Sequence, residues 1–451
     1  MIFWIALGCT SSDSNAPSSS ADQNPVITDL NPVVQIEDTF VETVKRISWE
    51  GEPEDQLLYV DGMGVARSVN AIQQDGTNTA LLFGLHQYTT VQFQIGRTVN
   101  EQLERSEAFS VDIGGLESTL PELELTAATE QQHFLSIPVI DESGGGVVIV
   151  DGTGEYVWSL PETLNISAGM YTTALFSKDG QSLLIQTNAT DANVTSHLYR
   201  VSLTGEVLEE IALQGGHLSF AEVAVGHYFA LGYQREEQTE DNGEQILSDL
   251  IIEIIDGEQT VLWSSYEAFP YETFGGVNNP DWMHINYLAY DSYNDHILLS
   301  SAKLEAYIGL TRTGDVDWVL SPHTEYDTVG IAGRLESYNF VAHPHSIHSV
   351  SNEEYVVFNR NSNDGCSKVA KINLNENDPH VDWMSSSMSD PCFFVGFLGQ
   401  ALPISDDKTL ANWSDKGQLS IWDSEQHALW QLNSALGAAF GFSDYRDTFP
   451  Y

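Results

Sequence analysis

Short runs of alternating apolar and polar residues dominate the chain after residue 25. VKRISWEG, DQLLYVDG and TTVQFQIG place apolar residues at alternating positions, and turn-forming residues separate the runs. A period of two is typical of a β-strand that buries one face. The pattern over residues 25–115 therefore predicts a small unit built of several short strands.

One stretch of this unit narrows the fold. ALLFGLHQYTTVQFQI, residues 80–95, resembles the core of fibronectin-like sandwiches. We therefore expect residues 25–115 to form a fibronectin- or immunoglobulin-like β-sandwich. The segment LESTLPELEL then links this unit to the remainder of the chain.

A repeat of about 50 residues begins near residue 125. Five segments end on a tryptophan, namely GTGEYVW, DGEQTVLW, RTGDVDW, NDPHVDW and DSEQHALW, and TGEVLEE places a glutamate at the equivalent position. These positions are Trp158, Glu209, Trp263, Trp318, Trp383 and Trp430. Six units, each a turn followed by a strand, predict a six-bladed β-propeller over residues 125–451, since consecutive sandwich domains would need about twice that repeat length. The expected fold class is all-β.

The N-terminal residues suggest export. MIFWIALGC is a short apolar run whose end looks like the lipobox of a bacterial lipoprotein, in which the cysteine is acylated. We interpret residues 1–9 as a lipoprotein signal that is shorter than usual, with Cys9 as the lipidation site. Residues 10–24 are rich in Ser, Asp and Asn and predict a flexible linker. The expected location is the periplasm or the outer membrane.

Charge restricts the partners of the protein. The chain has 65 Asp and Glu against 17 Lys and Arg, which gives a formal net charge of −48. Nucleic-acid binding depends on Lys and Arg that displace counterions, so this composition excludes a nucleic acid as the expected partner. We expect membrane contact only through the lipid anchor. Any anionic substrate would need cationic side chains near its own site.

Two cysteines remain after Cys9. Cys366 and Cys392 lack the CxxC spacing of a structural zinc site. In an oxidising compartment they are expected to form one disulfide, which would stabilise the fold by about 3 kcal/mol.

Three histidines precede a turn and an apolar strand in successive repeat units. His217 lies ahead of VGHYFALGY, His284 ahead of NDHILLSS and His345 ahead of NEEYVVFNR. Because the first strand of a propeller blade lines the central channel, we expect the three side chains to converge there. A single histidine in such a place is commonly hydrogen-bonded into the core, whereas three at one repeat position favour a shared site.

The motifs around these histidines resemble the bacterial aryl-sulfate sulfotransferases. His284-x-Asn286 followed by LLSSAK is similar to the H-x-N…S-S-R motif of that family, and PHSI…VVFNR is similar to its second histidine motif. GGHLSF around His217 matches its first histidine motif more loosely. Lys303 stands where the family has an arginine, which replaces a bidentate group with a point charge.

The resemblance implies a function and a set of roles. His345 would be the nucleophile that forms a sulfo-histidine, and His217, His284, Asn286 and Lys303 would hold the sulfuryl oxygens. Arg360 would add charge at the substrate, and His343 is an alternative match for the nucleophile. The protein would transfer a sulfuryl group from an aryl sulfate to a phenol without a nucleotide donor or other cofactor, and the resemblance does not indicate an oligomeric state.

Two other classes of function remain open from sequence. Three converging histidines could bind a divalent metal and support hydrolysis, although no HExxH-type spacing is present and we assign no metal ligands. The chain could also be a non-catalytic lipoprotein propeller that binds a partner and retains an ancestral site.

Overall fold

A computed structural model of the protein describes residues 30–116, 120–129, 131–140, 145–162, 164, 166, 170–237, 245–271, 281–323, 341–360, 365–375, 380–386, 394–434 and 438–449, with only the backbone at 237 and 383–386. Almost all regular structure in this part of the chain is antiparallel β-strand. The exceptions are one helical turn, α1 (Ser265–Ala268), and one 3-10 turn (Ser414–Lys416). The all-β prediction is therefore confirmed.

Two antiparallel sheets form the N-terminal unit. Sheet A has the order β1-β2-β6-β5, with β1 (Val34–Asp38), β2 (Lys45–Glu50), β5 (Ile72–Gln74) and β6 (Thr77–Leu82). Sheet B has the order β4-β3-β7-β8, with β3 (Gln56–Val60), β4 (Ala66–Asn70), β7 (Thr90–Val99) and β8 (Gln102–Arg105), and β9 (Phe109–Asp112) also pairs with β7.

Sheets A and B share one hydrophobic core. Ile47 and Trp49 of β2 pack in the same buried cluster as Leu57 of β3 and Phe93 and Ile95 of β7. Alternate residues of β2 are buried, as expected for strands that each turn one face inward. The fibronectin- or immunoglobulin-like identity of this unit stays a prediction.

Four further sheets each consist of four consecutive strands. Sheet D contains β14 (Tyr171–Phe176), β15 (Ser182–Thr187), β16 (Thr195–Ser202) and β17 (Val207–Gln214), and sheet E contains β18 (Phe220–Ala224), β19 (His227–Glu237), β20 (Gln245–Ile255) and β21 (Glu258–Ser264). Sheet F contains β22 (Ile285–Asp291), β23 (His296–Ser301), β24 (Ala306–Thr311) and β25 (Val316–Leu320). Sheet G contains β26 (Pro344–Ser349), β27 (Glu354–Asn359), β28 (Lys368–Asn373) and β29 (His380–Ser386).

The two remaining sheets combine strands that are distant in sequence. Sheet C joins β11 (Phe134–Ile140), β12 (Gly146–Asp151) and β13 (Tyr156–Ser159) to the late strands β34 (Ala439–Phe440) and β35 (Asp444–Arg446), which pair with β11. Sheet H joins β30 (Gln400–Ser405), β31 (Lys408–Asn412), β32 (Gln418–Asp423) and β33 (Ala428–Ser434) to the early strand β10 (Leu123–Ala128), which pairs with β33. Each of these sheets is thus completed from the other end of the chain.

The 50-residue repeat corresponds to a repeated structural position. In each sheet from C to H, the register between the last two strands of the repeat shifts just before the predicted repeat residue. The repeat residues, in chain order from Trp158 to Trp430, then pair with Ile149, Arg200, Ile251, Gly309, Lys371 and Ile421. Gly154, Gly205 and Gly314 precede three of these strands with φ of 86°, 87° and 90°, a conformation that glycine adopts without strain. The alignment of Glu209 with the tryptophans is confirmed.

Sheets C to H form a closed series. The first strands contact each other between β11 and β14, β18 and β22, β22 and β26, and β26 and β30. The Thr173 hydroxyl of sheet D donates to the Leu218 carbonyl ahead of sheet E at 2.6 Å. Gln400 of sheet H donates to the Ser443 carbonyl beside sheet C at 3.0 Å. Each sheet therefore contacts the next, and the last contacts the first.

The N-terminal unit packs on the beginning of this series. Val41, Val44 and Phe83 lie in one buried cluster with Phe134 and Trp158 of sheet C.

Among the described residues, none of the helical segments is long or apolar enough to cross a bilayer. The predicted signal and linker, residues 1–9 and 10–24, lie outside the described residues. Sheets A and B fall within residues 25–115, whereas β10 begins two residues before the predicted start of the second unit.

Candidate functional site

The predicted site histidines lie where the first strands of three sheets begin. His284 immediately precedes β22, His343 immediately precedes β26, and His345 is the second residue of β26. His217 lies three residues before β18. These are the strands through which neighbouring sheets contact one another, so the structure places the histidines at one end of the inner strands.

The three predicted histidines do not occupy one repeat position. The carbonyls of Ser219, His284 and His343 accept equivalent backbone hydrogen bonds from Leu231, Ala302 and Arg360, at 3.2, 3.1 and 3.3 Å. The structural equivalent of His284 is therefore His343, while His217 lies two residues before the shared position and His345 two residues after it. The prediction of a single position was wrong because apolar runs fix the strands but not the residue at which pairing starts.

His345 instead shares its position with Asn286. In β22 and β26 the register shifts between Ile285 and Tyr287 and between Pro344 and Ser346, so Asn286 and His345 are the extra residues of two β-bulges. A bulge leaves its extra residue out of the ladder and redirects its side chain, and bulges are frequent beside active sites. The H-x-N of sheet F thus aligns with the His343-x-His345 of sheet G.

His345 is buried and unsatisfied. Its side chain is 3% exposed, and among the described residues neither ring nitrogen has a hydrogen-bond partner. Burial, with the positive charges of Arg360, His284 and His343, holds the pKa of His345 well below its usual range. The ring is therefore neutral at neutral pH and keeps a free lone pair, as a nucleophile requires.

His284 is oriented by a carboxylate. Its Nδ1 is hydrogen-bonded to Oδ2 of Asp281, and its backbone is left-handed with φ of 49°. Burial alone would lower the pKa of His284, but the hydrogen bond to Asp281 and the charges of Asp281 and Asp249 raise it. Lys303, an exposed residue, opposes this rise.

His217 is fully buried and its polar atoms face the protein. Nδ1 lies 3.3 Å from the Gly215 carbonyl, and Nε2 lies 3.2 Å from the Ile285 carbonyl and 3.3 Å from Oδ1 of Asp249. The ring stacks on Tyr233 with centroids 3.6 Å apart. This geometry commits His217 to contacts within the protein, and its predicted role in substrate binding stays a prediction.

Asn286 connects sheet F to the strand that carries His345. Its Nδ2 donates to the Pro344 carbonyl at 2.9 Å, and its Oδ1 accepts from the Ser300 hydroxyl at 2.6 Å. On the other side of β26, the Ser346 hydroxyl accepts from the Ala401 amide at 2.9 Å. The backbone on both sides of His345 is therefore fixed to neighbouring sheets.

Arg360 supplies positive charge beside His345. Its guanidinium carbon lies 5.4 Å from the centroid of the Phe394 ring, and its Nε is buried without a hydrogen-bond partner among the described residues. Burial lowers the pKa of Arg360, and the charge of Asp415 opposes this. Arg360 and Lys303 thus act electrostatically on His345 and His284 respectively.

Two acidic residues of the site were missed at the sequence level. Asp281 lies three residues before His284 in DWMH, so its spacing was a usable local signal. Asp249 lies inside β20, is fully buried, and accepts from the Ile285 amide at 3.3 Å. It reaches the site from the neighbouring sheet, and no local pattern marks it.

The other predicted sites are only partly described. Cys9 and Cys392 lie outside the described residues and Cys366 is buried, so lipidation and the Cys366–Cys392 disulfide stay predictions. In the part of the chain that the structure describes, three or more His, Cys, Asp or Glu side chains do not come together as a group that could hold a metal ion.

Several solved structures resemble this chain weakly. A structural genomics protein of unknown function from Bacteroides thetaiotaomicron is 8% identical, with a TM-score of 0.39 over 92% of this chain and 99% of that chain. A point mutant of the Synechocystis apocarotenoid oxygenase is 9% identical, with a TM-score of 0.35 over 93% and 97%. The β-propeller domain of the Trilobed protease from Pyrococcus furiosus is 10% identical, with a TM-score of 0.33 over 76% and 95%. TM-scores this low carry no argument about function.

Comparison at the level of sequence identifies the family of the chain. No curated protein matches the chain. The profile of the family described as Arylsulfotransferase (ASST) matches residues 122–438, which is well over half of the chain and includes every strand from β11 to β33 together with all the site histidines. The chain therefore belongs to the arylsulfotransferase family.

Proposed function

We propose that the protein transfers a sulfuryl group from an aryl sulfate to a phenolic acceptor through a covalent intermediate on His345, without a nucleotide donor. Family membership supports aryl sulfotransferase activity in general. The observation that carries the histidine mechanism is the state of His345, which is neutral, buried and free of hydrogen bonds among the described residues. Most buried polar atoms in proteins have a hydrogen-bond partner, so a buried histidine with both ring nitrogens free is a candidate for chemistry, a state that among the described histidines only His133 shares.

The chemistry follows in two displacements. In the first, the lone pair of a His345 ring nitrogen attacks sulfur, the bond from sulfur to the aryl oxygen breaks, and the aryl oxygen leaves as a phenolate. In the second, the oxygen of the acceptor phenol attacks the same sulfur, the nitrogen–sulfur bond breaks, and His345 recovers its lone pair. The phenol proton is released to solvent in this step. Splitting the transfer into two steps is the advantage of covalent catalysis.

The neighbouring cations would stabilise the transferred group. Sulfuryl transfer concentrates negative charge on three oxygens, so fixed positive groups at that point lower the barrier, as in phosphoryl transfer. Arg360 and His284 act electrostatically on His345, and Lys303 acts on His284. In a protein of net charge −48, this group of cations is what would make the site accept an anion.

Activity on 4-nitrophenyl sulfate with phenol as acceptor tests the proposal. Wild-type protein should release nitrophenolate, and donor alone should leave one sulfuryl group on the peptide that contains Pro344 to His348, detected by mass spectrometry. His345→Ala should abolish both signals. Labelled His343 in place of His345 would reassign the nucleophile, and protein that is neither labelled nor active would favour a binding propeller over an enzyme.

The same proposal includes the surrounding architecture and the location. We infer that sheets C to H are the six blades of a propeller, because they form a closed series joined through their first strands.

We also infer export as a lipoprotein of the periplasm or outer membrane, on the basis of MIFWIALGC. Cys9→Ser should move the protein from the membrane fraction to the soluble fraction, and an unchanged distribution would contradict the anchor.

A further inference from the structure

Asp281 controls the orientation and the charge of His284. The carboxylate holds Nδ1 of the ring, which leaves Nε2 as the ring atom available to a ligand. The backbone at this point is also fixed, because the Ala302 amide donates to the His284 carbonyl at 3.1 Å and the Lys303 amide to the Met283 carbonyl at 3.3 Å. A carboxylate that orients a histidine from behind fixes both its tautomer and its direction.

The groups around His284 have opposing effects on the pKa of its ring, and these effects do not cancel. Asp281 and Asp249 favour the protonated ring, whereas burial and Lys303 oppose it, and the result is a pKa above the ordinary value near 6.5. Asp281 is three residues earlier in the chain, Asp249 belongs to β20 of sheet E, and Lys303 follows β23 of sheet F. Other titratable groups among the described residues nearby are His217 and Tyr233, which interact with Asp249, and His343, His345 and Arg360 on the side of sheet G. The carboxylates prevail at His284.

The neighbouring histidine has the opposite state. His345 carries no carboxylate partner among the described residues and is kept neutral by burial and by the cations around it. When the environments of two titratable groups at one site shift their pKa values in opposite directions, the two groups typically have different chemical roles. Here the neutral ring of His345 can act as a nucleophile, while His284, whose pKa is raised, keeps its proton to higher pH and can donate to an anion beside it.

We propose that Asp281 is a positioning residue that keeps His284 as a cation with its Nε2–H available to the sulfuryl oxygens, and so sets the upper pH limit of the reaction. This inference rests on the proposed function of the site. Asp281 itself does not touch the substrate. Its effect passes through His284, whose charge disappears as the pH rises through the pKa of that ring.

The pH dependence of kcat/KM for 4-nitrophenyl sulfate tests this role. Wild-type activity should fall on the alkaline side as His284 loses its proton. In Asp281→Asn that fall should move to lower pH, and activity should recover largely at acidic pH, where His284 is protonated without help. Asp281→Glu keeps a carboxylate, so its fall in kcat/KM at alkaline pH should occur at a pH closer to that of the wild type. An equal loss of activity at every pH would show a merely structural role and overturn the proposal.

Asp317→Asn provides the matched control. Asp317 lies 3.8 Å from His296 in the same sheet F, and His296 pairs with Asp291 at the opposite end of β22 and β23 from the site. This substitution also removes a carboxylate from a histidine. It should leave the pH profile unchanged, and a shift like that of Asp281→Asn would attribute the effect to net charge and overturn the specific role.

An NMR titration of the His284 ring separates this inference from the proposed function. The ring should titrate at higher pH in wild type than in Asp281→Asn, whatever the activity. If the wild type releases no nitrophenolate at any pH but the two titrations differ, the proposed function fails and the pairing stands. If the two titrations coincide, the role of Asp281 is refuted.

Discussion

One extra residue at the start of an inner strand determines the character of the site. The bulge positions of β22 and β26 carry Asn286 and His345, which are both buried and both turned out of the strand pairing. The same geometry has two uses. Asn286 satisfies its amide on the Pro344 carbonyl, whereas His345 has no partner among the described residues. The bulge therefore presents a fixed side chain, and the residue type decides between support and chemistry.

Asn286→Ala tests the supporting role. It leaves the Pro344 carbonyl and the Ser300 hydroxyl without their partner, so unfolding free energy should fall by about 1–3 kcal/mol. Because Pro344 precedes His345, nitrophenolate release should also fall, by about 10- to 100-fold. The control is Asn294→Ala, which removes an amide donated to the Asn352 carbonyl at 2.7 Å, a second link between these sheets. Equal loss of activity in both variants would contradict the role.

His217→Ala should act on stability more than on binding. The substitution leaves the fully buried Asp249 without its histidine partner, and leaving a buried polar group without its partner typically costs about 1–3 kcal/mol. Chemical denaturation measures this loss. His427→Ala, in which an exposed histidine leaves Asp423, should change stability by less than about 0.5 kcal/mol. A stable but inactive His217→Ala protein would instead favour direct contact with substrate.

At the scale of strands, the sequence predicts the framework better than the site. Tryptophan spacing located the last strand of the repeat in five of the sheets from C to H, and the same spacing placed Glu209 at the equivalent position in sheet D. Residue-level alignment of His217, His284 and His345 failed, since those positions depend on where the inner strands begin to pair. The backbone amides of Leu231, Ala302 and Arg360 donate the hydrogen bonds that define that start, and every residue except proline carries the same amide, so the residue type does not mark these positions.

The repeated tryptophans do more than fill space. The Trp158 indole donates to the Leu203 carbonyl at 2.9 Å, and the Trp430 indole donates to the Gly152 carbonyl at 2.8 Å. Each bond reaches from one sheet to the next, from C to D and from H to C. At Trp158 and Trp430 the indole therefore links neighbouring sheets by a hydrogen bond as well as packing between them.

Trp430→Phe isolates the hydrogen bond from the packing. It keeps an aromatic ring but leaves the Gly152 carbonyl without a donor, so the unfolding free energy should fall by about 1–3 kcal/mol beyond the loss of ring area. Trp263→Phe is the comparison, because its buried indole nitrogen has no hydrogen-bond partner among the described residues. Thermal denaturation should show the larger loss for Trp430→Phe, and equal losses would contradict the indole link.

For the whole molecule, net charge predicts a response to salt. A charge of −48 on one chain creates self-repulsion that opposes the compact state. The Debye length shortens from about 30 Å at 0.01 M to about 3 Å at 1 M salt, so Tm should rise over this range. Sodium chloride and potassium chloride should act equally if screening is the cause. A flat Tm would show that the charges are too far apart to matter.

Long-range pairing was the feature that the sequence could not predict. The strands β34 and β35 have only 2 and 3 residues, and although β10 alternates clearly, nothing local indicates partners some 300 residues away. Asp249 was missed for the same reason, since its partner His217 lies ahead of β18, two strands earlier in the chain. Periodicity reports how one segment is buried, and it contains no information on which segment lies opposite.

The pairing of β34 and β35 with β11 determines the order of events during synthesis. Strands β11 to β13 leave the ribosome early, but the edge of β11 stays open until residues 439–446 have emerged. An unpaired edge can recruit other chains, and contacts of such large sequence separation form slowly. Until residues 439–446 have been synthesised, the open edge of β11 is therefore a place at which the nascent chain can pair with other chains.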